Sequence, residues 1–275
     1  MEFSRPLIRV DQVASLLDRQ ELVLIDCRFS LADPGAGRRA YREAHLPGAV
    51  YFHLDEDLSG RIRAHGGRHP LPRPEVLASK LGAAGVGPGV KVVAYDDNGA
   101  MAARCWWLLR WLGHDEVAVL DGGYNAWVSA GYRVTDVVPN PVPQSFTPHP
   151  RREMIAEMAE VRERPATTVL VDGRSPQRFA GEFDPLDQKQ GHIPGAINRF
   201  WGDSLRPDGF WLSPAEQRAR FEGLGAGADV IQYCGSGVTA CANLLAMELA
   251  GFTGARLYPG SWSDWCSYEA NPVEK

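Results

Sequence analysis

The sequence predicts an α/β protein made of two tandem copies of one domain, each an open parallel sheet with helices on both faces. Three observations carry that expectation. Four motifs recur in the same order in the two halves. Short apolar runs alternate with helical patterns. A proline-rich stretch separates the copies.

The repeat comes first, because self-similarity decides the architecture. Leu24-Ile25-Asp26-Cys27-Arg28 recurs as Leu170-Val171-Asp172-Gly173-Arg174, and His45-Leu46-Pro47-Gly48-Ala49 as His192-Ile193-Pro194-Gly195-Ala196. Val92-Val93-Ala94-Tyr95 recurs as Val230-Ile231-Gln232-Tyr233, and Gly122 through Trp127 as Gly260 through Trp265. The offset is 146 to 147 residues for the first two blocks and 138 for the last two, so one gap of about nine residues separates them. A repeat this long is the size of a domain, not of a solenoid unit. Pro139, Pro141, Pro143, Pro148 and Pro150 then crowd the junction. Such a stretch excludes helix and reads as a stiff, extended linker. The expected domains are residues 1–138, a linker 139–151, and residues 152–275.

Within each half, Leu22–Asp26, Val92–Tyr95 and Val117–Leu120, and then Val169–Asp172, Val230–Tyr233 and Arg256–Tyr258, read as strands. Pro74–Ala84, Met101–Leu112, Pro214–Leu224 and Val238–Ala250 read as helices. Apolar strands alternating with helices indicate a parallel sheet covered on both faces. In such sheets ligands bind beyond the carboxyl ends of the strands.

Composition narrows the function classes. The 275 residues are 44% hydrophobic, ample for packed cores, and the net charge is −5. With no basic run, neither a nucleic acid nor an anionic membrane is expected as partner. No segment approaches the roughly 18 apolar residues of a membrane span. Met1 to Val10 contains two arginines and no apolar core, so a secretory signal is not expected. Five cysteines lack framework spacing, and no Cys/His cluster points to a metal or other cofactor. A reduced, cytoplasmic protein is the expectation.

The chemistry concentrates at Tyr233-Cys234-Gly235-Ser236-Gly237-Val238-Thr239-Ala240. A cysteine ends a strand, a small-residue loop follows, and a helix begins. Gly235 and Gly237 let the backbone curl so that several N–H groups aim at one point. The helix start adds partial positive charge, about 1 kcal/mol, too little alone to hold a thiolate at neutral pH. Direct N–H bonds must supply the rest. Offset 138 places Asp96 opposite Cys234 and Asn98 opposite Ser236, so the first copy is expected to be inactive. Cys27, Cys105 and Cys266 read as packing residues. So does Cys241, although its place near the start of the helix leaves a redox role open. A cysteine phosphatase would need an arginine six residues beyond the cysteine, where Ala240 stands.

The loop Cys-Gly-Ser-Gly-Val-Thr, the tandem repeat, both His-x-Pro-Gly blocks and Gly66-Gly67-Arg68-His69-Pro70-Leu71-Pro72 resemble the rhodanese-type sulfurtransferases, most of all those using 3-mercaptopyruvate. The resemblance implies two rhodanese-like domains, with Cys234 carrying sulfur as a persulfide and no cofactor. The donor would be a small molecule and the acceptor a thiol, a small one or thioredoxin, with cyanide serving in the test tube. It implies that Ser236 hydrogen-bonds the donor or moves a proton, backed by His45 and by Asp33, one residue off register. Arg178 matches the substrate-binding arginine, and Gly235, Gly237, Val238 and Thr239 complete the pocket. The family's second arginine falls on Pro185, leaving Lys189 as the nearest cation. Arg68 and His69 are further candidates to line the cleft, and Asp172 with Arg174 is expected to form a structural ion pair.

Thiosulfate enzymes of the family carry two basic residues where Gly235 and Ser236 stand. A charge pair at 4 Å is worth about 4 kcal/mol at an effective dielectric near 20. The neutral loop therefore ranks mercaptopyruvate above thiosulfate, and basic residues at 235 and 236 are expected to shift activity toward thiosulfate. A thiosulfate:cyanide sulfurtransferase and a persulfide-carrying binding module remain the alternatives.

Overall fold

The computed structural model describes residues 6–17, 19, 21–225 and 227–275. The N-terminal reading above falls partly on residues 1–5, outside the described residues. The chain forms two compact units. The first comprises residues 1–60, 72–151 and 207–211, the second residues 61–71, 152–206 and 212–275.

The first unit runs β1 (Leu7–Ile8), α1 (Val10–Ala14), β2 (Leu22–Asp26), α2 (Ala36–Glu43), β3 (Val50–Tyr51), α3 (Pro74–Ala83), β4 (Lys91–Tyr95), α4 (Ala100–Trp111), β5 (Val117–Leu120) and α5 (Gly123–Ser129). Its strands pair in parallel in the order β1-β5-β4-β2-β3. Leu24, Val93, Tyr95, Ala118 and Leu120 cluster with Val13 of α1 and Trp127 of α5. The alternate residues Ile25, Val92, Ala94, Val117 and Val119 are buried too. Successive side chains point to opposite faces, so both faces of this sheet are covered. Trp106, Trp107 and Trp111 of α4 are buried.

The second unit runs α6 (Met158–Glu163), β6 (Val169–Asp172), α7 (Pro176–Phe179), β7 (Ile197–Asn198), α8 (Pro214–Arg220), β8 (Val230–Tyr233), α9 (Ala240–Leu249), β9 (Arg256–Leu257) and α10 (Ser261–Trp265). Its parallel order, β7-β6-β8-β9, reproduces β3-β2-β4-β5. A parallel bridge between Ile155 and Leu257 stands where β1 meets β5.

The sequence repeat is also a structural one. Arg28 forks onto Asp26 and bonds Ala44 O, and Arg174 forks onto Asp172 and bonds Gly191 O, with matching distances down to 2.6 Å. These buried pairs brace the turn after each central strand. Removing one partner would strand the other charge. His45 and His192 also repeat one role. Their Nδ1 atoms meet the carbonyls of Tyr41 and Phe179, and their rings stack on those same residues.

The division differs from a simple split of the sequence. Residues 139–151 are not a free linker but lie along the first unit. Gln144 N donates to Gly82 O, His149 N to Leu112 O and Arg151 N to Trp111 O. Arg151 also pairs with Asp115 through both terminal nitrogens at 2.6 Å. Residues 61–71 precede the junction yet belong to the second unit, and residues 207–211 follow it yet belong to the first.

Candidate active site

β8 is buried along its whole length and delivers Cys234 to the end of the sheet, 2% exposed. The loop that follows is pinned by the turn before α10. Trp262 N donates to Cys234 O and Ser263 N to Gly235 O, at 3.0 and 2.9 Å. Cys234 N donates to Ser261 Oγ at 3.1 Å. Ser261 is a fully buried non-glycine residue at φ 55, a sparsely populated conformation that its surroundings must enforce. Gly237 sits at φ +76, where an added Cβ would stand 2.2 Å from Pro259 O, so only glycine fits.

The first unit shows what a loop of this shape does with an anion. Offset 138 places Gly99, at φ +82, opposite Gly237. Asp96 takes N–H bonds from Asn98, Gly99, Met101 and Ala102. Burial nevertheless pushes the Asp96 carboxyl up to about 6, although each N–H bond pulls it back down. The corresponding donors in the second unit are the N–H groups of Ser236, Gly237, Thr239 and Ala240. An Asp oxygen lies two bonds beyond Cβ, as does the outer sulfur of a cysteine persulfide.

Three side chains meet this loop. His69 Nδ1 lies 2.7 Å from Ser236 Oγ, both residues buried. A Cβ built on Gly235 would lie 3.1 Å from Arg68 Nη2 and 3.2 Å from both terminal nitrogens of Arg178. Asp187 joins the two arginines, one oxygen on Arg68 Nη1 and the other 2.9 Å from Arg178 Nη2. Asp184 holds Arg178 through Nε at 3.1 Å. Burial pushes the Asp187 carboxyl up, against the pull of Arg68 and Arg178.

Segment 61–71 is fixed within the second unit by its backbone. Gly66 N donates to Asp264 Oδ1 at 2.7 Å and Arg68 N to Ser263 Oγ at 3.1 Å. Gly67, at φ +81, approaches so closely that a Cβ would stand 2.4 Å from Gly260 O.

Several sequence expectations are corrected here. The ring at Ser236 is that of His69, not His45, whose two nitrogens meet Tyr41 O and Val137 O in the first unit. Asp33 pairs with the neighbouring Arg39 and is half exposed. Lys189 donates to the carbonyls of Tyr268, Glu269 and Asn271, filling its three N–H positions and tying down the C-terminal segment. The neutral loop does not make a neutral site, since Arg68 and Arg178 stand over Gly235. A basic side chain at 235 would stand beside two cations already in place, so the neutral loop alone does not set the charge of the site. Val238 is buried and Thr239 half-buried, completing the loop before α9.

The other thiols read as packing groups. Cys241 donates to Gly237 O at 3.4 Å. Burial raises Cys27 well above its ordinary range and pushes Cys266 up to about 12. Among the described residues no group of three or more His, Cys, Asp or Glu is placed to hold a metal ion, and no helix is long and apolar enough to cross a membrane.

Residues 9–130 and 154–268 each match the Rhodanese-like domain family. The chain belongs to the rhodanese family of sulfurtransferases. It is 44% identical to the "Probable 3-mercaptopyruvate sulfurtransferase" of Pseudomonas aeruginosa, over 98% of each chain. It is 37% identical to a Mycobacterium tuberculosis protein provisionally named thiosulfate sulfurtransferase SseB, over 97% of this chain and 96% of the relative. Among solved structures it is similar to SseA of Escherichia coli, described as a 3-mercaptopyruvate sulfotransferase. There the TM-score is 0.83 and the identity 30%, over 94% of this chain and all of that one. Both halves of the protein are thus rhodanese domains, and the first holds Asp96 where the second holds its cysteine.

Arg68, His69 and Asp187 are the groups at this loop that the motifs pointed to least. Arg68 and His69 lie in the Gly66–Pro72 segment that carries part of the resemblance, which was the available signal. Asp187 had none, since an isolated aspartate among loop residues looks like any solvated charge.

Proposed function

We propose that the enzyme moves sulfur from 3-mercaptopyruvate to a thiol through a persulfide on Cys234. The Cys234 thiolate attacks the donor sulfur, so that an S–S bond forms as the C–S bond breaks. The electron pair goes to carbon, giving the enolate of pyruvate. The proton once on the donor thiol must then reach that carbon. In the second step an acceptor thiol takes the outer sulfur and returns the thiolate, a ping-pong scheme.

The observation that carries this reading is the contact of His69 with Ser236 on the cysteine loop. Expelling an enolate requires a proton, and a hydroxyl backed by an imidazole is a device for moving one. Thiosulfate expels sulfite, which leaves without one. The four N–H groups at 236, 237, 239 and 240 would hold the outer sulfur as their counterparts hold Asp96. Ser236 and His69 move the proton, and Arg178 receives the donor's carboxylate.

A thiosulfate reading is kept because two guanidiniums over the loop also suit a dianion, and the Mycobacterium tuberculosis relative bears that name. A small thiol or thioredoxin is the proposed acceptor and the cytoplasm the proposed location, with neither nucleic acid nor membrane involved.

The test compares kcat/KM for the two donors in the wild type, Ser236→Ala and His69→Asn, with intact mass reporting sulfur on Cys234. Loss of a general acid–base group removes roughly 10²- to 10⁴-fold. That loss is expected with mercaptopyruvate and a much smaller one with thiosulfate. Cys234→Ser should gain no sulfur from either donor. A wild type that turned over thiosulfate faster, with both variants unaffected, would reverse the assignment.

A further inference from the structure

Arg68 lies 110 residues from Arg178 in sequence, in a segment that the second unit draws from the first half of the chain. The two guanidiniums nonetheless converge above Gly235, next to the cysteine, at 3.1 and 3.2 Å from the place a Cβ would occupy. What they share is a carboxylate. Asp187 presents one oxygen to Arg68 and the other to Arg178, with its side chain 4% exposed. The arginines are 31% and 19% exposed, so one side of the arrangement remains open. Two planar, multidentate cations around one carboxylate describe a binding seat for that group. Burial works against the charge on Asp187. The two guanidiniums offset that cost for any carboxylate held in this place.

We propose that Arg68 and Arg178 together form the seat for the donor's carboxylate, and that Asp187 fills it when no donor is bound. Arg68 is then a specificity-determining residue, supplying the second cation of the seat. The ligand class is a short monocarboxylate whose sulfur extends toward Cys234. Neutral sulfur compounds gain nothing from the seat. The inference rests on Cys234 accepting sulfur from a carboxylate-bearing donor.

The experiment uses the full-length chain with Arg68→Ala and Arg68→Lys. It measures kcat and KM with 3-mercaptopyruvate, the inhibition constant of pyruvate, and sulfur gain on Cys234 by intact mass. A hydrogen bond to a charged group is worth about 10- to 100-fold in binding. Arg68→Ala is expected to raise both KM and the pyruvate inhibition constant by at least that lower figure, with kcat falling far less. Arg68→Lys should recover part of the loss, because it restores charge without the fork. Methyl pyruvate, which lacks the charge, should inhibit wild type and Arg68→Ala alike. If wild type loads Cys234 while Arg68→Ala keeps KM and the pyruvate constant within twofold, the seat is overturned and the donor reading stands. If wild type gains no sulfur from 3-mercaptopyruvate, both fall.

Discussion

Two substitutions in the loop separate the copies chemically: Asp96 stands where Cys234 does, and Asn98 where Ser236 does. The N–H cradle that the first unit closes around the Asp96 oxygens is built by the same left-handed glycine and the same turn as in the second. Holding a carboxylate there strains electrostatics, because burial lifts its ionisation to about 6. In the unfolded chain an aspartate titrates near 4. The folded protein thus binds this proton more tightly than the unfolded one, and neutralisation favours the fold. The contribution is fully present below about pH 4 and is lost as pH rises through about 6. A rise in pKa of that size corresponds to about 3 kcal/mol. Denaturant titrations from pH 4 to 7 should show the wild type losing stability over this window relative to Asp96→Asn. Parallel curves for the two proteins would contradict the assignment. At the same scale, the histidines teach how motifs mislead. His45 and His192 recur because both brace a turn, and recurrence alone could not say that a third histidine, His69, meets Ser236 on the cysteine loop.

Elements that repeat with strong periodicity were readable in the sequence, and those that position the site mostly were not. Leu22–Asp26, Val117–Leu120, Val169–Asp172 and Val230–Tyr233 are strands with the expected bounds. Continuous apolar runs bury both faces of a sheet, so their signal survives any context. α7, which carries Arg178, spans only Pro176–Phe179, too short for a helical period to register. Segment 61–71 forms no helix or strand, and its membership of the second unit rests on contacts nearly 200 residues away in sequence. Gly67 is the residue that permits this approach. Replacing it with Ala places a methyl 2.4 Å from Gly260 O and forces a left-handed backbone on a residue that resists it. Displacing Arg68 and His69 by about 1 Å can cost on the order of 100-fold in rate. Gly67→Ala is expected to lower kcat/KM for mercaptopyruvate at least tenfold. Gly66→Ala is the comparison, since its nearest contact would be Pro70 Cβ at 3.9 Å. Equal losses in the two variants would show that backbone conformation, not the close approach to Gly260, sets the segment.

For the molecule as a whole, the compact units are not the sequence halves. Each domain completes itself with a short piece taken from the other half, residues 61–71 in one direction and 207–211 in the other. The second piece has a clear structural anchor. Trp211 is 4% exposed, its N–H donates to Asp121 Oδ1 at 3.0 Å, and its ring closes on Gly99, where a Cβ would lie 2.9 Å away. It therefore covers the loop that carries Asp96, although it lies 60 residues beyond the last residue of the Pro-rich stretch. Truncating a buried tryptophan costs about 3 to 5 kcal/mol. Trp211→Ala is expected to remove that stability from the first unit although the mutation lies in the second half of the chain. Hydrogen exchange read by mass spectrometry distinguishes the alternatives. Protection should fall along residues 96–111 and 117–121, around α4 and β5, while the central strands β6 and β8 of the second unit keep theirs. Faster exchange confined to β6 and β8 would place residues 207–211 with their own half and undo the exchanged arrangement.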